Sequence, residues 1–155
     1  RVLRPGFPRA AYMMFLISEV HPFLDGNGRA ARVMMNAEMV SQSLTKIIIP
    51  TVYRDDYMGS LRRLTRRSDP EPFVRMLNRA MEFSATINGD TMDIMQNKLT
   101  QSNAFLEHTE GKLRILPHAG LVSLFPRGQK GKRSLLFHLI QYKRTLDLTH
   151  IGQGG

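Results

Sequence analysis

Residues 8–43 read PRAAYMMFLISEVHPFLDGNGRAARVMMNAEMVSQS, and this stretch decides the fold. Its first part contains the uninterrupted apolar run 10–17, which is eight residues long and poor in β-branched side chains. Such a run predicts a buried helix over residues 8–20. Pro22 ends that helix, because the residue before a proline is pushed out of the α-helical region. We therefore expect His21 to lie at a helix end, where the chain turns.

A second helix is predicted over residues 28–43, directly after a short turn rich in Gly and Asn. Its apolar and small residues occur nearly all round the helix, which is typical of a core element. They are Ala30, Ala31, Val33, Met34, Met35, Ala37, Met39 and Val40.

The rest of the chain to residue 110 also predicts helices. Asp55 or Asp56 is a candidate cap for a third helix, and Ser68-Asp69-Pro70-Glu71-Pro72 is a strong helix start for a fourth. Asp90, with Asp93 three residues on, is expected to open a fifth that reaches about Asn103. The short apolar segment 47–49 is interpreted as extended. The predicted fold class is therefore all-α.

Gly26-Asn27-Gly28 lies between the first two predicted helices and directly precedes the second. Glycine allows positive φ, so consecutive N–H groups can point into one concavity and bind an anion. The same N–H groups head a helix, whose positive dipole end also favours an anion. This arrangement predicts a phosphate-binding loop.

Charged side chains on both sides of the loop extend this chemistry. Arg29 and Arg32 are three residues apart, so they share a helix face, and Asn36 falls on that face too. Guanidinium groups suit phosphate oxygens. Asp25 supplies the single carboxylate that commonly holds Mg²⁺ beside a polyphosphate. His21, just before the loop, is a candidate base for an incoming hydroxyl.

Each feature alone has a structural explanation. Gly-Asn-Gly is most often a turn, and a histidine before proline is most often a helix-end residue. The two arginines form a solvated face in many proteins or pair with an acid, for which Glu19 and Asp25 are available. Their occurrence in order within twelve residues favours the functional interpretation. We also expect Phe23 and Leu24 to anchor the loop in the core, and we leave Tyr53 and Tyr57 open between nucleotide contact and core packing.

The segment 21–32, HPFLDGNGRAAR, resembles the Fic family motif H-P-F-x-[D/E]-G-N-G-R-x-x-R at every defined position. The resemblance covers roughly residues 4–110 and implies a helical bundle. It further implies AMP transfer from ATP, with Mg²⁺, to a Ser, Thr or Tyr hydroxyl of a target protein. The roles it implies are His21 as general base, Asp25 as the Mg²⁺ ligand, and an anion hole and phosphate ligands formed by Gly26, Asn27, Gly28, Arg29 and Arg32.

Gly28 indicates the branch of the family, because the kinase-like Doc branch carries a lysine there. The leading hypothesis is therefore a protein adenylyltransferase with ATP and a target protein as its partners. A de-AMPylating hydrolase and an inert Fic remnant that only binds ATP are the alternatives. Only about twenty residues precede the motif, so we expect an N-terminally truncated domain. The family's inhibitory pattern [S/T]-x-x-x-E-[G/N] fails at Leu106, so we expect that this motif was lost with the N-terminus or is supplied by a separate inhibitory partner.

The composition of the chain excludes or weakens several other classes of protein. The absence of cysteine excludes disulfides and Cys-ligated zinc, and we expect a cytoplasmic protein without a membrane span. Of the formal net charge of +9, residues 120–155 carry +5. We interpret residues 111–155 as a basic tail, left open between disorder and a short helix over 134–145, and residues 1–110 as the Fic part. Nucleic-acid binding by this tail is the weakest hypothesis.

Overall fold

The computed structural model describes residues 3–117, and the all-α prediction is confirmed for them. They form five α-helices and one short 3₁₀ turn, with no strand inside that range. The helices are α1 (Phe7–Val20), α2 (Asn27–Ser41), α3 (Arg54–Arg67), α4 (Glu71–Thr86) and α5 (Met92–Gln101), and the 3₁₀ turn is Thr51–Tyr53. Residues 118–155, which include most of the predicted tail and its helix over 134–145, lie outside the described residues.

α1 and α2 form a helical hairpin around the Gly-Asn turn. The connection of residues 21–26 returns the chain so that α2 packs along α1. α1 contributes the fully buried Met14 and Phe15, and α2 the fully buried Met35 and Met39. The hairpin therefore presents its connecting loop at one end of the bundle, supported by a packed core.

The prediction that α2 is buried nearly all round is wrong. Val33, Met34 and Val40 are 66%, 42% and 50% exposed, whereas Ala31, Met35 and Met39 are fully buried. The physical reason is that α1 is the one helix that packs extensively against α2 within residues 3–117, so the outer apolar face of α2 meets solvent there.

The predicted helix starts are partly wrong in their capping residues. Asp55 and Asp56 lie inside the first turn of α3, because the 3₁₀ turn already leads the chain into that helix. At α5 the cap is Thr91, whose Oγ1 accepts a hydrogen bond from the Ile94 N–H at 3.3 Å, in place of Asp90. At α4 the predicted proline lies in the first turn, but the N-cap is Pro70 and not the predicted acid; Asp69 Oδ1 accepts a hydrogen bond from the Glu71 N–H at 3.3 Å. No helix within residues 3–117 is both long and apolar enough to cross a bilayer.

The segment after α2 is held by side chains. The Asn36 amide donates to the Ile47 carbonyl at 3.0 Å and accepts from the Ile47 N–H at 2.7 Å. One residue on, the Ile48 N–H donates to Ser84 Oγ at 2.7 Å. These bonds fix residues 47–50 between α2 and α4 and so position the start of α3 beside the loop.

A buried carboxylate closes the other end of the hairpin. Glu38 is 7% exposed; its Oε1 accepts from the Gly6 N–H at 2.7 Å and its Oε2 lies 2.9 Å from Arg9 Nη2. Burial alone raises the pKa of Glu38, but the hydrogen bonds from Arg9 and Gly6 outweigh it, so the pKa lies below its ordinary value of 4.5.

We expect Glu38→Ala to lower the free energy of unfolding by about 2 kcal/mol, because the buried Gly6 N–H loses its acceptor. The lowered pKa makes the ionised carboxylate stabilising above its unfolded value, and this contribution is lost as the pH falls through the folded value. A second variant, Glu38→Gln, removes the charge and keeps the size of the side chain. The free energies of unfolding of the parent and of Glu38→Gln, measured in urea, should therefore differ most near neutral pH and converge in acid. Glu82→Gln, at an exposed position of α4, is the control, and an equal loss in that variant would contradict the assignment.

Candidate active site

The loop of residues 21–26 is bounded by two left-handed backbone conformations. His21, at the C-terminus of α1, has φ 49° and ψ 59°, and its N–H donates to the Ile17 carbonyl at 3.2 Å. Gly26, at the N-cap of α2, has φ 80° and ψ 8°, a conformation that glycine adopts without a steric penalty. The chain thus leaves α1 at His21 and enters α2 at Gly26, and each of these residues makes a sharp turn, as the sequence predicts.

The N-terminus of α2 carries free donors. Its first main-chain hydrogen bond runs from the Ala30 N–H to the Gly26 carbonyl at 2.9 Å. The N–H groups of Asn27, Gly28 and Arg29 therefore have no acceptor within the helix. They point out of the helix end and, together with the helix dipole, favour an anion.

The Asn27 side chain makes the loop rigid. Its Oδ1 accepts from the Phe23 N–H at 3.0 Å, and its Nδ2 donates to the Phe23 carbonyl at 2.7 Å. The prediction that Phe23 and Leu24 anchor the loop in the core is wrong, since they are 55% and 110% exposed. The loop is therefore held by the side-chain amide of Asn27, at the start of α2, and not by apolar packing of Phe23 and Leu24.

All seven predicted site residues line one open cleft. This cleft has a volume of about 510 Å³ and surrounds the end of α2. We call it the loop cleft. Leu24 completes its lining, which otherwise consists of His21, Asp25, Gly26, Asn27, Gly28, Arg29 and Arg32.

A second cleft of about 560 Å³ adjoins the first, and we call it the helix cleft. The two share His21, Asn27, Gly28 and Arg32 in their linings. The helix cleft adds an apolar and aromatic wall from the segment before α3 and from α3 itself, formed by Ile49, Pro50, Tyr57, Met58 and Leu61. A ligand with a polyanionic part and a flat, less polar part would find both surfaces side by side.

Sequence reasoning missed most of the helix cleft. Ser18 and Arg54 line it and were not singled out, whereas Tyr57 was left open between core and nucleotide contact. Tyr57 satisfies both interpretations, because it is 6% exposed and still lines the cleft. Tyr53 is equally buried, but it does not line this cleft. Its burial, and to a smaller extent the nearby Asp56, raises the pKa of Tyr53 to about 12. The signal in the sequence for this wall was the helical spacing of Tyr57, Met58 and Leu61, which places them on one face of α3.

The two arginines differ in their partners. Arg29 Nη2 lies 3.3 Å from Asp25 Oδ2, and both side chains are largely exposed, so the interpretation that an acid meets this arginine is confirmed. An exposed pair of this kind is worth about 0–1 kcal/mol, so an incoming anion can compete for Arg29. Arg32 is partly buried and forms no ion pair with any residue in the range 3–117. Its guanidinium is the cation most available to both clefts.

Asn36 does not join the site, although it was predicted on the same helix face as Arg29. Its amide forms both hydrogen bonds to the Ile47 main chain, and it lines neither cleft. Its role is to hold the segment that leads to α3.

The donor set fits Mg²⁺ only in a shared site. Across the described part of the chain, no group of three or more His, Cys, Asp or Glu residues could hold a metal ion. Asp25 is the one carboxylate of the loop cleft, and its side chain is 93% exposed. One accessible carboxylate suits an ion whose remaining ligands are water and phosphate oxygens.

A third cleft, of about 850 Å³, lies on the other side of α3. Much of its charge is already paired within the protein. Arg63 lies 2.8 Å from Asp69, Arg75 lies 3.4 Å from Glu71, and His108 lies 3.3 Å from Asp55. These internal pairs leave the loop cleft and helix cleft as the better candidates for an anionic ligand.

Comparison with known proteins identifies the family. Residues 4–39, which contain α1, the loop and most of α2, match the family model "Fic/DOC family". The chain belongs to the Fic/DOC family. The match includes every residue of the loop cleft.

Curated relatives carry the same family name. "Protein adenylyltransferase Fic" of Drosophila persimilis is 38% identical over 68 residues, 44% of this chain and 13% of that protein. "Protein adenylyltransferase fic-1" of Caenorhabditis elegans is 38% identical over 76 residues, 49% of this chain and 15% of that protein. The Drosophila virilis protein is 32% identical over 110 residues, 69% of this chain and 21% of the relative.

The alignments with these three relatives thus span between 13% and 21% of the relatives' length. No solved structure matches the chain significantly.

Proposed function

We propose that this chain carries the catalytic centre of a protein adenylyltransferase, which transfers AMP from ATP to a hydroxyl side chain of a target protein. The observation that carries the proposal is the convergence of His21, Asp25, the free N–H groups of α2 and Arg32 on the loop cleft, beside the apolar and aromatic wall of the helix cleft. The names of the Fic relatives support the same reaction.

The polyphosphate of ATP is the part that fits the loop cleft. The N–H groups of Asn27, Gly28 and Arg29 donate to its oxygens, and the guanidinium groups of Arg29 and Arg32 balance its charge. Asp25 is the residue that would hold Mg²⁺, which supplies charge neutralisation at the phosphates. The adenosine part then lies in the helix cleft against Tyr57, where the wall is apolar.

His21 is the proposed general base. Its Nδ1 lies 3.5 Å from the Glu19 carbonyl oxygen, so the tautomer protonated on Nδ1 donates there. That tautomer leaves the Nε2 lone pair free to accept the proton of the attacking hydroxyl. The hydroxyl oxygen forms a bond to the α-phosphorus, the bond to the bridging oxygen breaks, and pyrophosphate leaves.

The test is to incubate the chain and candidate target proteins with ATP labelled at either the α- or the γ-phosphorus. AMP transfer predicts label on protein from α-labelled ATP only, and none when Mg²⁺ is withheld. Label from γ-labelled ATP would instead indicate phosphate transfer and would contradict the proposal.

The two alternatives give different outcomes in the same assay. A de-AMPylating hydrolase releases labelled AMP from a modified protein faster than ATP labels it. An inert remnant folds but gives no label, and the exposed Phe23, Leu24 and outer face of α2 favour this second candidate for the chain on its own. The target protein, an inhibitory partner and a cytoplasmic location stay predictions, as does the boundary at residue 110.

We expect Asn27→Asp to weaken Mg²⁺–ATP binding by about tenfold or more, because it places a negative charge beside the phosphates and loses the donor to the Phe23 carbonyl. Isothermal titration calorimetry measures this affinity. Asn97→Asp, on exposed α5, adds the same charge away from the clefts and is the control. Equal affinity of the parent and both variants would contradict the position of the phosphates.

A further inference from the structure

A polar contact joins the end of α1 to the last turns of α3. The Thr65 hydroxyl donates to Glu19 Oε2 at 2.6 Å, and both residues are partly buried. A hydroxyl–carboxylate bond of this length is charge-assisted and stronger than a bond between neutral groups. Glu19 was a candidate partner for the arginines of α2, but its carboxylate is engaged by α3 instead.

Glu19 also contacts the proposed base through its main chain. Its carbonyl oxygen is the atom that faces His21 Nδ1 at 3.5 Å, which is at the long end of the hydrogen-bond range. His21 itself has positive φ, which a residue with a Cβ adopts only when the surrounding structure holds it. The Glu19 carbonyl is therefore the acceptor within reach of a proton on His21 Nδ1, and its orientation favours the tautomer protonated there.

Thr65 lies on the face of α3 that forms the helix cleft. Met58 and Leu61 line that cleft, and Thr65 follows Leu61 by four residues, one helical turn further on. A ligand that settles against this wall contacts the same helix face that holds Glu19. The helix that forms the wall of the helix cleft is thus bonded to Glu19, the residue whose carbonyl faces the His21 ring.

We propose that Glu19 and Thr65 are positioning residues, which fix the C-terminal turn of α1 so that His21 keeps its proton on Nδ1 and presents Nε2 to the target hydroxyl. This inference rests on the proposed function for the role of the Nε2 lone pair. The orientation and tautomer of His21 are properties of the chain itself and are measurable without any reaction.

The test uses Thr65→Val, which preserves the shape of the side chain and removes the donor, and Thr65→Ser, which preserves the donor. Thr100→Val, on α5, removes a comparable hydroxyl whose partner is the Gln96 carbonyl, and it serves as the control. Imidazole nitrogen chemical shifts give the tautomer ratio of His21 in each folded protein. Circular dichroism and thermal unfolding establish that the variants are folded.

We expect Thr65→Val to shift the tautomer ratio away from the parent's and to lower kcat about tenfold, with KM for ATP changed less than twofold, because misplacement of a reacting group lowers kcat. Thr65→Ser and Thr100→Val should resemble the parent in both measurements. A parent-like tautomer ratio in folded Thr65→Val would overturn the inference, and so would an equal shift in Thr65→Ser. If the parent transfers no AMP, the proposed function fails, while the tautomer ratio still decides the role of Thr65.

Discussion

Replacement of His21 by alanine is expected to lower AMP transfer by a factor of about 100 to 10,000, the range that a positioned general base contributes. ATP binding should change little, because the N–H groups of α2, Arg29 and Arg32 remain in the loop cleft. Label transfer from ATP labelled at the α-phosphorus measures the first quantity, and calorimetry with Mg²⁺–ATP measures the second.

His108→Ala is the matched control for this experiment. His108 is a second exposed histidine of the described residues, but it pairs with Asp55 in the third cleft on the other side of α3. It should transfer AMP at the parent rate. Transfer by His21→Ala within a few-fold of the parent would remove His21 from the role of base, even if the family assignment stands.

Replacement of Arg32 by glutamine is expected to weaken Mg²⁺–ATP binding by about tenfold to 100-fold. A hydrogen bond to a charged group is worth about 1.5–3 kcal/mol, and Arg32 lines both clefts without an acidic partner among residues 3–117. The loss should shrink as salt is added, because part of it is electrostatic.

Arg62→Gln is the control for Arg32→Gln, since Arg62 is exposed on α3 and lines none of the three clefts. It should bind Mg²⁺–ATP like the parent. The same affinity in the parent and in Arg32→Gln would contradict the proposed site of the polyphosphate. Equal losses in the two variants would indicate a general effect of net charge instead.

The loop cleft could be predicted from sequence because its residues are contiguous. A turn between two helices brings neighbouring residues together whatever the rest of the chain does, so His21, Asp25 and Gly26 needed only local rules. The five helices followed for the same reason, from apolar runs and helix-start residues. Their exact caps did not follow, since Thr91 and Asp90 are nearly equivalent as candidate caps.

Contacts between distant residues could not be predicted in this way. The amide of Asn36 binds Ile47, and the hydroxyl of Thr65 binds Glu19, 46 positions earlier in the chain. The exposure of Phe23 is of the same kind, because an apolar residue in a loop is buried only where another element covers it. Sequence patterns give the face of a helix but do not say which element packs against it.

The position of the polyphosphate is the central claim, and an amide NMR titration of the chain with Mg²⁺–ATP tests it most directly. The amide signals of Asn27, Gly28 and Arg29 should move first and furthest, because these are the free donors at the end of α2. Signals from α5, which lines none of the clefts, should stay in place. Saturating Mg²⁺–ATP that leaves the three loop amides unmoved, or moves those of α5 instead, would contradict the account.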